Sequence, residues 1–138
     1  MNIQIGLAII QIDLLKNSPP FILSTNPDNF QLPVIDFYKY KYRHEEFMDA
    51  VKELSKQCVD LSVSWIHFEL VDLILNKVGI ENEKYETTYD DNLVIVYGCI
   101  VPFSTNILDN HWVETKIENS QEFNLAIKTL KILGNFNQ

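Results

Sequence analysis

The sequence is poor in glycine and in basic residues, which particular functions require. It contains four glycines in 138 residues, so we do not expect a glycine-rich loop that holds phosphate with backbone N–H groups. Eleven Lys and Arg stand against 19 Asp and Glu, which gives a formal net charge of −8. Because DNA and RNA are bound mainly through clustered basic side chains, this balance argues against bulk nucleic acid as a partner.

Cysteines and long apolar runs are also scarce. Cys58 and Cys99 are too few for a disulfide framework and both lie in apolar segments, so we expect buried free thiols of the kind found in a reducing cytoplasm. The apolar run 3–12 is shorter than the roughly 20 residues of a membrane span, and no basic start precedes it. We therefore expect a cytoplasmic protein without a membrane segment.

The pattern of apolar residues predicts a single α/β (α+β) domain over residues 1–138. Two amphipathic or apolar helices are expected in the middle of the chain and one at its end. The predicted elements, in order, are strands at 3–12, 21–24 and 31–37, helices at 44–58 and 65–78, a hairpin turning at 90–92, strands at 93–101 and 111–117, and a helix at 120–133.

The segment 65–78 differs from an ordinary surface helix. On a helical wheel its polar residues Glu69, Asp72 and Asn76 fall in one narrow arc, and nearly all other positions are apolar. A helix of this kind packs on several sides. Gly79 would end it.

Several segments, read together, resemble the Nudix family. They are GLAIIQID (6–13), FILS (21–24), Leu32-Pro33, NLVIVYGCIVP (92–102) and HWVETKI (111–117). The resemblance implies a mixed β-sheet packed between helices. It also implies a catalytic helix whose glutamates hold Mg²⁺ against a diphosphate.

The family's signature ends in Arg-Glu-apolar-x-Glu-Glu-x-Gly-apolar, and two registers fit this chain. In the first, Lys52-Glu53-Leu54 stands for Arg-Glu-apolar, and Lys56 and Gln57 replace the two later glutamates. In the second, Gly79-Ile80 is the final pair, and Asn76-Lys77 replaces Glu-Glu. Neither register keeps the carboxylate cluster, so the resemblance indicates the fold and leaves hydrolysis open.

Two acidic groups are candidates for a site. Glu46, Asp49 and Glu53 lie on one side of the first helix, where they would hold a divalent cation or simply face solvent. Glu69 and Asp72 form the other group, on the strip of the second helix. Glu53, Glu69 and Asp72 are the candidate catalytic residues, with Mg²⁺ or Mn²⁺ as cofactor if the chain is hydrolytic.

A run of alternating aromatic and basic residues follows the third predicted strand. Lys39, Lys41 and Arg43 would contact an anion such as phosphate, while Tyr40 would contact a base or sugar. Asn76 is a further candidate for ligand binding. The competing interpretation is an edge strand protected by its charge.

Three functions are consistent with these patterns. The first is a Nudix-like module that lacks the standard catalytic carboxylates and binds a small nucleotide-like ligand or a protein partner. Its sequence is compatible with a monomer or an oligomer. The second is an atypical metal-dependent pyrophosphohydrolase acting on a nucleoside diphosphate derivative. The third is a longin- or roadblock-like adaptor.

Overall fold

The computed structural model describes residues 2–13, 19–37, 44–81 and 87–134. Within these ranges it contains six strands, two α-helices and a short 3₁₀ turn at Val63–Trp65. The strands are β1 (Asn2–Gln11), β2 (Phe21–Ser24), β3 (Val34–Asp36), β4 (Glu69–Glu81), β5 (Thr87–Val101) and β6 (His111–Glu114), and the helices are α1 (His44–Cys58) and α2 (Gln121–Gly134).

All six strands form one mixed sheet, in which five follow the order β4-β5-β1-β2-β6 and β3 pairs with β1 off this path. β1 and β5 run parallel and pair along ten residues, from Asn2 opposite Asn92 to Gln11 opposite Val101. The other edge of β1 is shared, because β3 pairs with its first half and β2 with its end, both antiparallel. The mixed sheet expected from the sequence is therefore confirmed.

One helix covers each face of the sheet. Because side chains alternate along a strand, β1 directs Ile5, Leu7 and Ile9 into a core with α1, and Ala8 and Ile10 into a second core with α2. Of the predicted apolar stripe of α1, Val51, Leu54 and Cys58 are buried and Phe47 and Ala50 are partly buried. Ser120 caps α2 by accepting a hydrogen bond from the Phe123 N–H (3.2 Å). No helix in the described ranges is long and apolar enough to cross a membrane.

The predicted helix at 65–78 is wrong, because most of this segment is strand β4. It pairs antiparallel with β5 from Glu69 to Glu81, and Gly79 lies inside the strand opposite Tyr89 instead of ending a helix. A run that is apolar nearly throughout suits a helix or a strand equally well. The neighbouring strand β5 decides between them, since it supplies hydrogen-bond partners along the whole of β4.

The predicted hairpin turn at 90–92 is also wrong. These residues lie within β5, opposite Val78, Lys77 and Asn76 of β4. The turn chemistry of Asp-Asp-Asn is a local preference, and the long ladder with β4 outweighs it. The connection between β4 and β5 falls at 82–86, outside the described residues.

Gly98 allows α2 to lie directly on β5. A Cβ at this position would come within 2.8 Å of the Thr129 methyl and hydroxyl groups and of a Val71 methyl. Thr129 cannot retreat freely, because it is buried and its hydroxyl donates to the Leu125 carbonyl at 2.7 Å. The contact between helix and sheet therefore requires a residue without a side chain.

We expect Gly98→Ala to lower the free energy of unfolding by about 1–3 kcal/mol, since one added methyl overpacks a closed contact. Gly134→Ala is the matched control. A Cβ there meets nothing within 4 Å, so we expect a neutral or slightly stabilising effect. Urea unfolding measures both, and equal effects of the two substitutions would contradict the packing argument.

Cys58 and Cys99 are both free and buried, as the sequence predicts. Burial raises the pKa of the Cys58 thiol from 9.0 to about 11. Burial raises the pKa of Cys99 further, and the neighbouring Cys58 adds to that shift. Both thiols are therefore protonated in the folded protein near neutral pH.

We expect alkaline pH to destabilise the fold partly through Cys58. Below pH 9 the thiol is protonated in both states, whereas between pH 9 and about 11 only the unfolded chain loses the proton. This difference lowers the free energy of unfolding by up to about 3 kcal/mol. Urea unfolding at pH 7.5 and 10 should show a smaller loss in Cys58→Ala than in the parent chain. The same loss in both proteins would contradict this assignment.

Candidate functional site

A cleft of about 410 Å³ lies between α1 and the end of β3. The helix contributes positions spaced by three and four residues, which share one side of an α-helix. The lining residues are Ile35, Asp36, Phe37, Glu46, Asp49, Ala50 and Glu53. The structure thus places the three acids predicted on α1 along a single cleft.

The carboxylates in this cleft differ in their surroundings. Asp49 and Glu53 are exposed, whereas Glu46 is half-buried and its Oε2 is buried without a hydrogen-bond partner. Asp36 is engaged elsewhere, because its Oδ1 accepts a hydrogen bond from Gln4 Nε2 at 2.9 Å. Carboxylate oxygens suit Mg²⁺ or Mn²⁺ chemically. However, no three His, Cys, Asp or Glu side chains within the described ranges converge closely enough to hold an ion.

The opposite wall of the cleft is apolar. The Phe37 ring stacks on Phe47 of α1, with a centroid distance of 4.7 Å and an interplanar angle of 28°. Aromatic pairs of this geometry contribute beyond simple burial, so this pair fixes α1 against the end of β3. The cleft therefore has an acidic helix on one side and a wall with an aromatic ring on the other.

The first register of the Nudix signature falls on α1. Leu54 is buried in the core beneath the helix, as the apolar position of the signature requires. Glu53 lines the cleft. Lys56 and Gln57, which stand where the signature has two glutamates, are exposed. The second register is wrong, because its residues lie in strand β4.

Glu69 and Asp72 each have a separate basic partner. Glu69 Oε1 lies 2.8 Å from His67 Nε2, and Asp72 Oδ2 accepts a hydrogen bond from Lys128 Nζ at 2.9 Å. Lys128 offsets the charge of Asp72, which reduces the repulsion expected between two neighbouring carboxylates. The polar strip predicted for a helix is therefore wrong. On strand β4 Glu69 pairs with the nearby His67, and Asp72 pairs with Lys128 of α2.

Asp72 lies beside a second cleft, of about 370 Å³, between β4 and the start of α2. Its lining is mostly polar and consists of Asp72, Ile74, Asn119, Gln121, Asn124, Leu125 and Lys128. This cleft is on the α2 face of the sheet, and Glu53 belongs to the α1 face, so the two acids do not form one site. Asn76 is exposed on β4 opposite Asn92 and lines neither cleft.

The proposed anion-binding residues Lys39, Tyr40, Lys41 and Arg43 lie outside the described residues. Their segment, 38–43, connects Phe37, which lines the α1–β3 cleft, to the first residue of α1.

A polar row across three strands was not predicted from the sequence. Asn92 Nδ2 donates to Gln4 Oε1, and Gln4 Nε2 donates to Asp36 Oδ1, each at 2.9 Å. The Asn92 Oδ1 atom is buried without a partner. No sequence signal could reveal this row, because its members are 32 and 88 residues apart and only the sheet brings them together.

Comparison with solved structures places this architecture among Nudix proteins. C. elegans Ap4A hydrolase superposes with a TM-score of 0.56 at 13% identity, covering 99% of this chain and 100% of that one. A Nudix hydrolase from Listeria monocytogenes gives 0.57 at 11% identity, with coverage of 96% and 95%. The Nudix domain of NrtR from Shewanella oneidensis, solved with ADP-ribose, gives 0.51 at 9% identity, with coverage of 95% and 87%.

No protein-family model and no curated protein matches the sequence. At these identities the likeness concerns the fold, and it establishes a Nudix-like fold for this chain. The parallel pairing of β1 with β5 agrees with that fold. An adaptor with one antiparallel sheet, the third expectation from the sequence, does not have this pairing.

We expect the Asp72–Lys128 pair to be a modest structural contact. The Lys128 side chain is half exposed and the Asp72 side chain about a quarter exposed, so solvent screens the pair. A double-mutant cycle with Asp72→Asn and Lys128→Met should give a coupling energy of roughly 0.2–1 kcal/mol in urea unfolding. A coupling of several kcal/mol would show that the pair is effectively buried and contradict this expectation.

Proposed function

We propose that this Nudix-like domain binds a nucleoside diphosphate derivative without hydrolysing it. The observation that carries the proposal is the composition of α1. This helix presents Lys56 and Gln57 to solvent where the Nudix signature has two metal-binding glutamates, and Glu53 is the one signature carboxylate that it keeps.

Hydrolysis of a diphosphate depends on a metal ion that neutralises phosphate charge and activates water. Mg²⁺ needs several oxygen ligands in near-octahedral geometry. A lysine at one of the signature positions replaces a ligand by a cation, which repels the metal. A residual binding function is therefore better supported than turnover.

The α1–β3 cleft is the proposed ligand site. Its volume of about 410 Å³ falls within the roughly 300–1,000 Å³ typical of small-molecule pockets. Its apolar wall, which includes Phe37, suits a base or ribose face. The NrtR domain, solved with ADP-ribose, supports a ligand of this chemical class.

The acids of α1 alone would repel a diphosphate, so the ligand needs cations from elsewhere. We assign this role to Lys39, Lys41 and Arg43, with Tyr40 stacking on the base. Guanidinium and ammonium groups bind phosphate oxygens through charge-assisted hydrogen bonds. In the sequence these residues lie between Phe37 and Glu46, which both line the cleft.

The alternative is an atypical Mg²⁺- or Mn²⁺-dependent pyrophosphohydrolase. Glu46, Asp49 and Glu53 line one cleft, and the unpartnered Oε2 of Glu46 is an oxygen that a cation would satisfy. This arrangement favours the alternative enough to require a direct test of turnover.

The binding test is calorimetric titration of ADP-ribose and of ADP, with EDTA and with Mg²⁺. We expect the parent chain to bind, and the variant Lys39→Gln/Lys41→Gln/Arg43→Gln to bind at least tenfold more weakly, about 1.4 kcal/mol. Lys128→Gln is the matched control, because it removes a cation from the opposite face of the sheet and should leave affinity unchanged. Failure of the parent chain to bind either nucleotide would contradict the proposal and favour a protein partner.

The turnover test uses the same ligands with Mg²⁺ or Mn²⁺ and follows product release by chromatography. The proposal predicts no release above the protein-free rate. Metal-dependent release that Glu46→Gln, Asp49→Asn or Glu53→Gln abolishes would establish the hydrolase alternative instead, with the variants' unfolding curves showing that the fold is intact.

A further inference from the structure

Strand β4 forms an open edge of the sheet. In the part of the chain that the structure describes, β5 is its one neighbour, and β4 is the terminal strand of the six. An open edge presents backbone N–H and C=O groups that another strand can pair with. Natural proteins usually protect such an edge with charges, proline or a bulge.

The edge of β4 is interrupted near its start and carries the charged residues Lys77 and Glu81 toward its end, so the stretch between them lacks protection. A bulge interrupts the ladder between Leu70 and Asp72, and Asp72 Oδ1 accepts the Leu73 N–H at 2.8 Å. This hydrogen bond shows that the Leu73 N–H points away from β5. Because the direction alternates along a strand, the N–H and C=O of Leu75 also point to the open edge.

The same stretch carries an uncovered apolar surface. Leu70, Leu73 and Leu75 are 48%, 58% and 59% exposed. They lie on the α1 face of the sheet, since they are opposite Tyr97, Ile95 and Leu93 of β5. α1 packs on β1 and β3 instead, so it leaves these leucines in solvent. The segment Leu73–Asn76 contains no charged residue.

We propose that two copies of this chain associate by antiparallel pairing of their β4 strands about Leu75. In this arrangement each Leu75 N–H donates to the Leu75 carbonyl of the other copy. The contact is isologous and closes after two copies. The exposed leucines of both chains then form one continuous apolar surface on the α1 side.

Charge favours a second copy at this surface over other parts of the molecule. With a net charge of −8, two copies repel each other over most approaches. At β4 the carboxylate of Asp72 is neutralised by Lys128 and that of Glu69 is bonded to His67. The stretch between Asp72 and Lys77 is uncharged, so at the centre of the contact two acidic chains approach without bringing carboxylates together. At each end of the pairing Glu81 lies opposite Glu69 of the other copy, and this repulsion weakens the association.

The size of the contact sets its strength. β4 has 13 residues, fewer than the 20–30 per side of a standard protein interface. We therefore expect a concentration-dependent dimer with a Kd of roughly micromolar or weaker. This dimer is independent of the proposed nucleotide binding.

Sedimentation velocity between about 5 and 500 µM tests the proposal. We expect the mass to rise from the 16.1 kDa monomer toward twice that value. Leu75→Pro should keep the protein monomeric, because it removes the N–H that crosses the interface and none that pairs with β5. Leu73→Lys/Leu75→Lys should do the same by placing like charges together while making the net charge less negative.

Leu108→Lys is the matched control, since Leu108 is 42% exposed in a loop and its substitution should leave the dimer intact. Circular dichroism checks that each variant is folded. A parent chain that stays monomeric throughout overturns the proposal. A dimer that persists in both β4 variants, or that Leu108→Lys also abolishes, overturns the assignment to this edge.

Hydrogen exchange at the Leu75 amide gives a readout that does not depend on any variant. The amide should be protected at high concentration and exchange freely at low concentration. Exchange that is equally fast at both concentrations would contradict pairing at this strand.

Discussion

The parallel pairing of β1 with β5 is the contact on which the other elements depend. It joins the start of the chain to residues about 90 positions later, along ten residue pairs. β4 extends the sheet on the far side of β5, whereas β2 and β3 share the far side of β1. α1 and α2 then cover the two faces. A parallel pair needs a long crossover, and the whole of β2, β3, α1 and β4 lies within it.

Side-chain alternation on these central strands also separates the two clefts. The cleft with Glu46, Asp49 and Glu53 belongs to the α1 face, whereas Asp72 and Lys128 lie on the α2 face. Acids that look equivalent in the sequence therefore have different roles. Those on β4 are paired with His67 and Lys128, whereas those on α1 line a cleft.

The two sides of α1 meet separate requirements, one from the fold and one from the site. The fold requires the apolar side of the helix, and Val51, Leu54 and Cys58 supply it in the core. The reaction requires the carboxylates on the exposed side. Because the two sides of the helix are under separate physical constraints, Lys56 and Gln57 can replace glutamates without any loss of packing.

The sequence by itself determined the elements whose signals are local. The period of α1, the cap and period of α2, and the acids spaced along one side of α1 all follow from neighbouring residues. Only the tertiary structure decided that residues 69–81 form a strand, because their apolar run suits either conformation and β5 provides the hydrogen bonds. It also brought together Asp36, Gln4 and Asn92, since contacts across a sheet join positions that no local pattern connects. The opening of the β4 edge, with Leu73 and Leu75 in solvent, is likewise a property of strand order, which local sequence does not encode.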